Sequence, residues 1–403
     1  MGNEILRLPG EILFGRGALG AIGARVRAFG VSTLICTDPV IAASPSADRV
    51  RESLAAAGVR VTEFSGTEAD LPLACVEACL EVARHARVES VVGLGGGSCI
   101  DMAKAVAMLL GDPGPVSRFY GENKLTRPVL PVVAVPTTAG TGSEVTPVAV
   151  FSDPGRSMKV GVSDPRLVPK VAICDPEATL TCPPGVTGFS GADALVHAVE
   201  AYCAPPRANP WEDVPGDVFR GRQELSRHYA LVALERIGRA LERAYHHGDD
   251  LDAREDMLFA SLCAGIAFAH AGTACAHALQ YPVGAATGTA HGLGVALLLP
   301  YTLELARPDV DDALADVGAA LGGSRVGADP GESAIALIEQ LTQAVGVPVS
   351  LAAIGVRHED LARFAGEAIA IDRLVRNSPR PVTEADLLRV LEAAFAGDRA
   401  RLR

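Results

Sequence analysis

Residues 90–104 read SVVGLGGGSCIDMAK, an apolar run followed by a glycine turn and a helical pattern. The run Ser90–Leu94 predicts a buried strand, and Asp101–Leu110 predicts the helix that follows it. Glycines let the backbone come close to a ligand, and the free N–H groups at the start of a helix favour a phosphate. A strand-to-helix turn that needs glycine only for its backbone geometry is an equally good interpretation of this sequence.

The alternation of apolar runs and helical stretches continues on both sides of this turn. Strands are predicted at Thr33–Cys36, Val59–Phe64 and Val129–Val135, and helices at Ala47–Ala57 and Leu73–His85. This order is typical of a parallel sheet covered by helices on both faces. The turn lacks the GxGxxG fingerprint, so we expect a Rossmann-like nucleotide-binding domain and not the standard one.

The pattern changes near Pro183–Pro184, beyond which strands nearly vanish. We therefore predict an α/β domain over residues 1–185 and an all-helical domain over residues 186–403. The segment Pro205–Arg222, rich in proline, charge and aromatic residues, is predicted to be a long loop, and such loops are often functional. The helices predicted in the second domain are Ala192–Tyr202, Glu224–His246, Ala253–Ala271, Gly292–Leu305, Val310–Leu321, Glu332–Val345, Glu359–Ile369 and Glu384–Phe395.

A second polar turn, Pro136–Thr146, reads PTTAGTGSEVT and directly follows a predicted strand. Ligands of open parallel sheets bind at the carboxyl ends of the strands, where both turns are expected. Asp38 ends the strand that contains Thr33–Cys36. Its carboxylate suits a ribose diol and would repel a 2′-phosphate, which favours NAD over NADP, but a helix N-cap is an equally good interpretation.

Four side chains of the second domain suit a divalent metal. Asp193 and His197 are four residues apart in a predicted helix, so both lie on one face. His277 and His291 follow later in the chain. One carboxylate and three imidazoles suit Fe²⁺ or Zn²⁺. Each histidine taken alone is more often a core or capping residue than a ligand.

The bulk properties exclude some classes of function. Lys and Arg total 36 and Asp and Glu total 48, so 36 − 48 gives a formal charge of −12, which argues against binding nucleic acid or an anionic membrane. The nine cysteines are odd in number and form no CxxC pair, which favours a reducing, cytoplasmic setting. We expect neither a signal peptide nor a membrane span.

Five segments together resemble the iron-containing (group III) alcohol dehydrogenase family. They are GGGSCIDMAKAVAML (Gly95–Leu109), PTTAGTGSEVT (Pro136–Thr146), VAICDPEATLTCPP (Val171–Pro184), GADALVHAVEAY (Gly191–Tyr202) and AGTACAHALQYPVGAATGTAHG (Ala271–Gly292). The resemblance implies the dehydroquinate synthase-like architecture of that family, with a metal in the cleft between its two domains. It also implies a homodimer.

The resemblance also implies site residues. The implied metal ligands are Asp193, His197, His277 and His291. The residues implied to line the cofactor, with Asp38 at the adenosine ribose, are Gly96, Gly97, Ser98, Thr137, Thr138, Thr141, Ser143, Lys159 and Leu180. Where many family members carry a further histidine, four residues after the third ligand, this chain has Tyr281. Tyr281 is either a proton donor or a wall of the substrate site.

The expected function is hydride transfer between NAD(H) and a small alcohol or aldehyde, with Fe²⁺, Zn²⁺ or another divalent metal as a Lewis acid. Arg207, Arg220 and Arg222 flank Trp211 and Phe219 in the predicted loop, so an anionic aldehyde such as a semialdehyde or phosphonoacetaldehyde is one hypothesis. Two alternatives stay open: a dehydroquinate-synthase-like cyclase and a noncatalytic relative.

Overall fold

The computed structural model describes residues 3–155, 159–207, 218–325 and 327–403. The contacts within the chain divide it into two compact units. One consists mainly of residues 6–182, and the other consists mainly of residues 183–207 and 219–403, together with residues 3–5.

The first unit is an α/β structure. Its strands are β1 (Glu11–Phe14), β2 (Ser32–Cys36), β3 (Arg60–Phe64), β4 (Ser90–Gly95), β5 (Gly121–Glu122), β6 (Val132–Pro136), β7 (Val148–Phe151), β8 (Val160–Ser163) and β9 (Val171–Cys174). Its helices are α1 (Ile22–Arg27), α2 (Pro39–Ala42), α3 (Pro45–Ala56), α4 (Leu73–Ala86) and α5 (Gly97–Gly111). The predicted α/β fold class is confirmed.

The main sheet has six parallel strands in the order β1-β9-β6-β4-β2-β3. Successive residues of its strands face opposite sides, as in Leu34 and Ile35 of β2, and each side has its own apolar core. Helices α4 and α5 contribute to one core, and α1 and α3 contribute to the other. Strand β2 pairs with β3 on one side and with β4 on the other, which makes this point of the sheet a topological switch.

A smaller sheet has the order β5-β8-β7, in which β8 and β7 are antiparallel. The sequence did not predict it, because its strands have only two to four residues.

The described residues of the second unit form helices and connecting loops, without a strand. Its helices are α6 (Pro184–Cys203), α7 (Glu224–His246), α8 (Leu251–Ala271), α9 (Cys275–Thr287), α10 (His291–Ala320), α11 (Pro330–Ala344), α12 (Leu361–Ile369), α13 (Asp372–Val375) and α14 (Glu384–Ala396). No single described helix has the length and apolar composition of a membrane span. The pair α8 and α9, which meet at 103°, meets those two criteria only when taken together.

The prediction of two helices, Gly292–Leu305 and Val310–Leu321, was wrong. Residues 291–320 form the single helix α10, which runs through Pro300 and Pro308. Each proline removes a backbone N–H and disfavours the helix by about 3 kcal/mol. Helix α10 packs against α6, α9, α11 and α14, and this tertiary burial outweighs the local preference.

Candidate metal centre and cofactor turns

One face of α6 carries three of the polar side chains of the candidate metal centre. Asp193, His197 and Glu200 are separated by four and then three residues, so the helical period places them in one row. All three are buried, with 3%, 5% and 5% of their surface exposed. Burying so many ionisable groups together is unfavourable unless they are paired with one another or hold a metal.

Three histidines surround a single oxygen of Asp193. The Nε2 atom of His197 lies 3.7 Å from Asp193 Oδ1, and the Nε2 atoms of His277 and His291 each lie 3.8 Å from it. The ligand atoms of Asp193, His277 and His291 all lie within 4.8 Å of one another. The ring of His197 stacks on Phe268 of α8 with 4.1 Å between centroids.

Glu200 fixes the ring of His277. Its Oε2 atom lies 2.7 Å from His277 Nδ1, and because an ionised carboxylate can only accept, Nδ1 carries the proton. The same carboxylate accepts hydrogen bonds from the backbone nitrogens of Ala274, at 2.7 Å, and Ala276, at 2.9 Å. Glu200 therefore also satisfies the N-terminus of α9, and in a neutral His277 ring the unprotonated nitrogen is Nε2, which lies on the side of Asp193.

Gly292 brings the start of α10 against α6. A Cβ atom at this position would lie 2.0 Å from the carbonyl oxygen of Phe189 and 3.1 Å from Cβ of Asp193. Only glycine permits that approach, which places His291, the first residue of α10, beside Asp193. The His291 side chain is 31% exposed, compared with 5% for His277, so the centre is open on the side of His291.

The residues present fit a divalent metal ion. His277 Nε2 is buried and has no hydrogen-bond partner among the described residues, as expected for a metal ligand. Two ligands that are each about 2.1 Å from one ion are about 3.4 Å apart in a tetrahedral site. The separations of 3.7 and 3.8 Å are close to that value. The donors, neutral imidazole and carboxylate, are those that Fe²⁺ and Zn²⁺ accept.

Tyr281 stands one turn after His277 on α9, and its ring centroid is 6.3 Å from that of His291. Its hydroxyl accepts a hydrogen bond of 3.2 Å from Nη2 of Arg373, on α13. The Arg373 guanidinium also lies over the ring of Phe219, 5.8 Å from its centroid.

The arginines of the predicted loop 205–222 lie in different surroundings. Arg207 is half-buried, and it donates to the carbonyl oxygens of Phe219 and Arg376 and to Oδ1 of Asn377. Arg220 is 1% exposed, and Arg222 is half-buried. Trp211 lies outside the described residues.

The two polar turns of the α/β unit adjoin at the carboxyl ends of β4 and β6. The backbone nitrogen of Thr137 donates to the carbonyl oxygen of Gly95 at 3.0 Å. A Cβ atom on Gly97 would lie 2.8 Å from the methyl group of Thr141, so glycine allows the turns to touch. Helix α5 begins at Gly97 and its N-cap is Gly96, which has no side chain to cap the first turn. Its first N–H groups are therefore oriented as an anion site requires.

A buried lysine of α5, Lys104, contacts the second of these turns. Lys104 Nζ donates to Ser143 Oγ at 2.9 Å and to the carbonyl oxygens of Thr146 and Val148 at 2.9 and 2.8 Å. Ser143 Oγ in turn donates to Asp101 at 2.6 Å. Burial lowers the pKa of Lys104 to about 8 and raises the pKa of Asp101. Burial also raises the pKa of Glu144, the next residue, to about 7.

The other residues expected to line the cofactor are more dispersed. Asp38 caps α2, because its Oδ1 accepts from the backbone nitrogens of Val40 and Ile41 at 2.8 and 3.0 Å. Its second oxygen lies 3.6 Å from Cys99 Sγ, next to the glycine turn.

Lys159 forms an ion pair with Asp70. Leu180, an apolar side chain, is 40% exposed. Ser98 and Thr138 are half-buried, whereas Thr137 is 2% exposed.

Three residues of these sites had no role in the sequence analysis. Glu200 could have been found, because it lies three residues after His197 on the same helical face. Lys104 is visible in the glycine-turn segment, but the acceptors that surround it come from residues about 40 positions away. Arg373 gives no local signal, because it lies 92 residues from Tyr281.

The chain belongs to the iron-containing alcohol dehydrogenase family. The sequence model of iron-containing alcohol dehydrogenases matches residues 9–176, and the model of the C-terminal domain of Fe-containing alcohol dehydrogenases matches residues 187–395. Membership implies an oxidoreductase that acts on small alcohols or aldehydes with NAD(H) and a divalent metal. The resemblance inferred from the five sequence segments is thereby confirmed, and the dehydrogenase is favoured over the cyclase and the noncatalytic relative.

Individual relatives align over nearly the whole chain. Long-chain-alcohol dehydrogenase 1 of Geobacillus thermodenitrificans (strain NG80-2) is 36% identical over 95% of this chain and 94% of its own length. Sulfoacetaldehyde reductase of Bilophila wadsworthia (strain 3_1_6) is 29% identical over 96% of this chain and 97% of its own. The crystal structure of a 1,3-propanediol oxidoreductase superposes with a TM-score of 0.91 at 30% identity, covering 98% and 100% of the two chains.

Proposed function

We propose that Asp193, His197, His277 and His291 hold a divalent metal ion, and that the enzyme uses this centre to interconvert alcohols and aldehydes with NAD(H). One observation carries the proposal: the Nε2 atoms of three histidines lie 3.7 to 3.8 Å from one oxygen of Asp193. Nε2 of His277 has no other partner in the described part of the chain. Protonated imidazoles would repel one another at this spacing, whereas neutral imidazoles around a shared cation would not.

Asp193, His197, His277 and His291 would hold the metal, which would supply Lewis-acid polarisation of the alcohol or aldehyde oxygen, and a bound nicotinamide would supply the hydride chemistry. The side chains of the protein prepare the centre for that chemistry. Glu200 holds His277 in the tautomer that can bind a metal. Phe268 covers His197 on one side, and the partial exposure of His291 leaves a path for the substrate. No side chain is needed as a nucleophile.

We propose that the α/β unit binds the dinucleotide on the two adjoining turns. Gly96, Gly97 and Ser98 would present the first turn of α5 to the pyrophosphate. Asp38, at the topological switch, would place its second oxygen at the adenosine ribose and so favour NAD over NADP. The remaining residues proposed to shape this site are Thr137, Thr138, Thr141, Ser143, Lys159 and Leu180.

The metal is proposed to be Fe²⁺, because three imidazoles and one carboxylate suit it and because the family is iron-containing. Zn²⁺ accepts the same donors. We further propose a homodimer. A reducing compartment such as the cytoplasm is proposed because all nine cysteines are free thiols and eight of them are buried.

The test is a metal analysis combined with an NADH assay. The protein is purified without chelator, its metal is quantified, and NADH oxidation is followed with a panel of neutral and anionic aldehydes. His277→Ala should lose both metal and activity, whereas His246→Ala, at an exposed position, should keep both. A metal-loaded wild type that consumes neither NADH nor NADPH with any aldehyde would reject the proposed function.

A further inference from the structure

Arg373 is a cation beside the candidate metal centre. It lies on α13 and is half-buried. Among the described residues, its side chain donates a hydrogen bond of 3.2 Å to the Tyr281 hydroxyl and stacks over Phe219. Neither contact neutralises a charge. Within the described ranges, no carboxylate lies within 4.0 Å of its guanidinium nitrogens. Its neighbour Asp372 instead faces Arg376, at 3.6 Å.

The contact with Tyr281 ties this guanidinium to the site. Tyr281 follows His277 by four residues on α9, so the two side chains share one face of that helix. The Tyr281 ring is also 6.3 Å from the ring of His291, the more exposed of the candidate ligands. A phenol in place of the usual histidine thus connects the metal centre to an arginine through a single hydrogen bond.

Two arginines of the segment 205–222 are less suited to bind a substrate. The guanidinium of Arg207 donates hydrogen bonds to two carbonyl oxygens and to Asn377. Arg220 is almost fully buried. In the described part of the chain, the Arg373 guanidinium makes one hydrogen bond, so several of its N–H donors are available to a ligand. A guanidinium presents five donors in a planar fork that matches a carboxylate, sulfonate or phosphonate.

We propose that Arg373 recognises the anionic group of the aldehyde substrate, and that Tyr281 orients the guanidinium for this contact. This inference rests on the proposed function and specifies its substrate class as small aldehydes that carry a carboxylate, sulfonate or phosphonate. One relative in the same family is a sulfoacetaldehyde reductase, whose substrate carries a sulfonate. Arg373 is thus a specificity-determining residue and not a participant in hydride transfer.

The test compares charged and uncharged aldehydes of similar length in the metal-loaded enzyme. Succinic semialdehyde and sulfoacetaldehyde are the anionic substrates, and pentanal is the neutral one. In Arg373→Ala, kcat/KM for the anionic aldehydes should fall on the order of 10- to 100-fold, mainly through KM, because a hydrogen bond to a charged group is lost. The loss for pentanal should be much smaller. Arg373→Lys keeps the charge without the fork and should lie in between.

Binding of a non-reacting anion gives a second readout. Ethanesulfonate should inhibit the wild type competitively with the aldehyde, and its inhibition constant should rise in Arg373→Ala by a factor similar to that of KM. Arg389→Ala removes an equal charge at an exposed position on α14 and should change neither quantity.

The outcomes separate this inference from the proposed function. Equal losses for pentanal and the anionic aldehydes would overturn the role of Arg373, and so would a rise in the KM of NADH alone. In either case, the dehydrogenase would stand. If the wild type turned over no aldehyde, the proposed function would fail. Calorimetric binding of ethanesulfonate to the wild type and to Arg373→Ala would then decide whether Arg373 binds an anion.

Discussion

Glu200 accepts a hydrogen bond of 2.7 Å from the ring of His277 and another of 2.7 Å from the backbone nitrogen of Ala274, just before α9. A single carboxylate on α6 thus fixes both the tautomer of a candidate ligand and the start of the helix that carries it. A partner of this kind sets the ring orientation and the basicity of a metal-binding histidine.

Replacing Glu200 is therefore expected to weaken metal binding without removing a ligand. The amide of Glu200→Gln offers one acceptor oxygen where the carboxylate offers two, so one of the three hydrogen bonds is lost. Affinity should fall about 10-fold in Glu200→Gln and about 100-fold in Glu200→Ala. The measurement is the chelator concentration that removes half of the metal. Glu242→Gln, an exposed charge on α7, serves as the control. An unchanged midpoint in Glu200→Ala would contradict this role.

Asp38 allows a test of cofactor choice that spares the helix cap. Serine can cap α2 as aspartate does, but it carries no charge to repel a 2′-phosphate. In Asp38→Ser, the ratio of kcat/KM for NADPH to that for NADH should rise on the order of tenfold, the effect of removing one like charge near the phosphate. Asp48→Ser, an exposed carboxylate on α3, is the matched control. An unchanged ratio would restrict Asp38 to its capping role.

The sequence predicted four of the six strands of the main sheet, β2, β3, β4 and β6, because parallel strands buried on both faces are short apolar runs. Strands β1 and β9 were not predicted. Leu34 and Ile35 both read as apolar although they face different cores. It predicted Asp193 and His197 as neighbours from helical spacing alone. It could not predict that His277 and His291 converge on Asp193, because that depends on how α9 and α10 pack against α6. The family resemblance supplied this contact.

The local sequence pattern gave wrong or incomplete predictions where tertiary packing determines the structure. The sequence analysis placed a break between Leu305 and Val310, but α10 continues through these residues. Arg373 was missed because it contacts the site through Tyr281, which is 92 residues away in the sequence. The hypothesis of an anionic substrate was reached from Arg207, Arg220 and Arg222, whereas Arg373, the residue that we propose to bind the anion, lies outside that segment.

Glu144 predicts a pH dependence of stability. It is 1% exposed, its Oε1 has no hydrogen-bond partner among the described residues, and burial raises its pKa from 4.5 to about 7. The folded state thus binds the proton of Glu144 more tightly than the unfolded state does, so ionisation of Glu144 lowers the stability of the protein as the pH rises from 4.5 through 7.

The side chain in Glu144→Gln cannot ionise. It should be more stable than the wild type by about 3 kcal/mol at pH 8 and nearly equal to it at pH 4. Urea denaturation at both pH values measures the difference. A constant difference would show that ionisation of Glu144 is not the cause.

The C-terminal residues are expected to stabilise the helical unit through Arg399. This side chain is 11% exposed, and it pairs with Glu304 of α10 and with Glu332 and Glu339 of α11. Glu304 is 4% exposed, so removing Arg399 takes away one of the charges that balance a buried carboxylate. Arg399→Ala should lower the free energy of unfolding by about 3 kcal/mol. This value is at the lower end of the range for a broken buried ion pair, because Arg307 and Arg403 still face Glu304.

The control is Arg401→Ala, which breaks only an exposed pair with Asp398 and should change the free energy of unfolding by less than about 0.5 kcal/mol. Equal effects of the two substitutions in urea denaturation would mean that the network contributes no more than an ordinary surface ion pair.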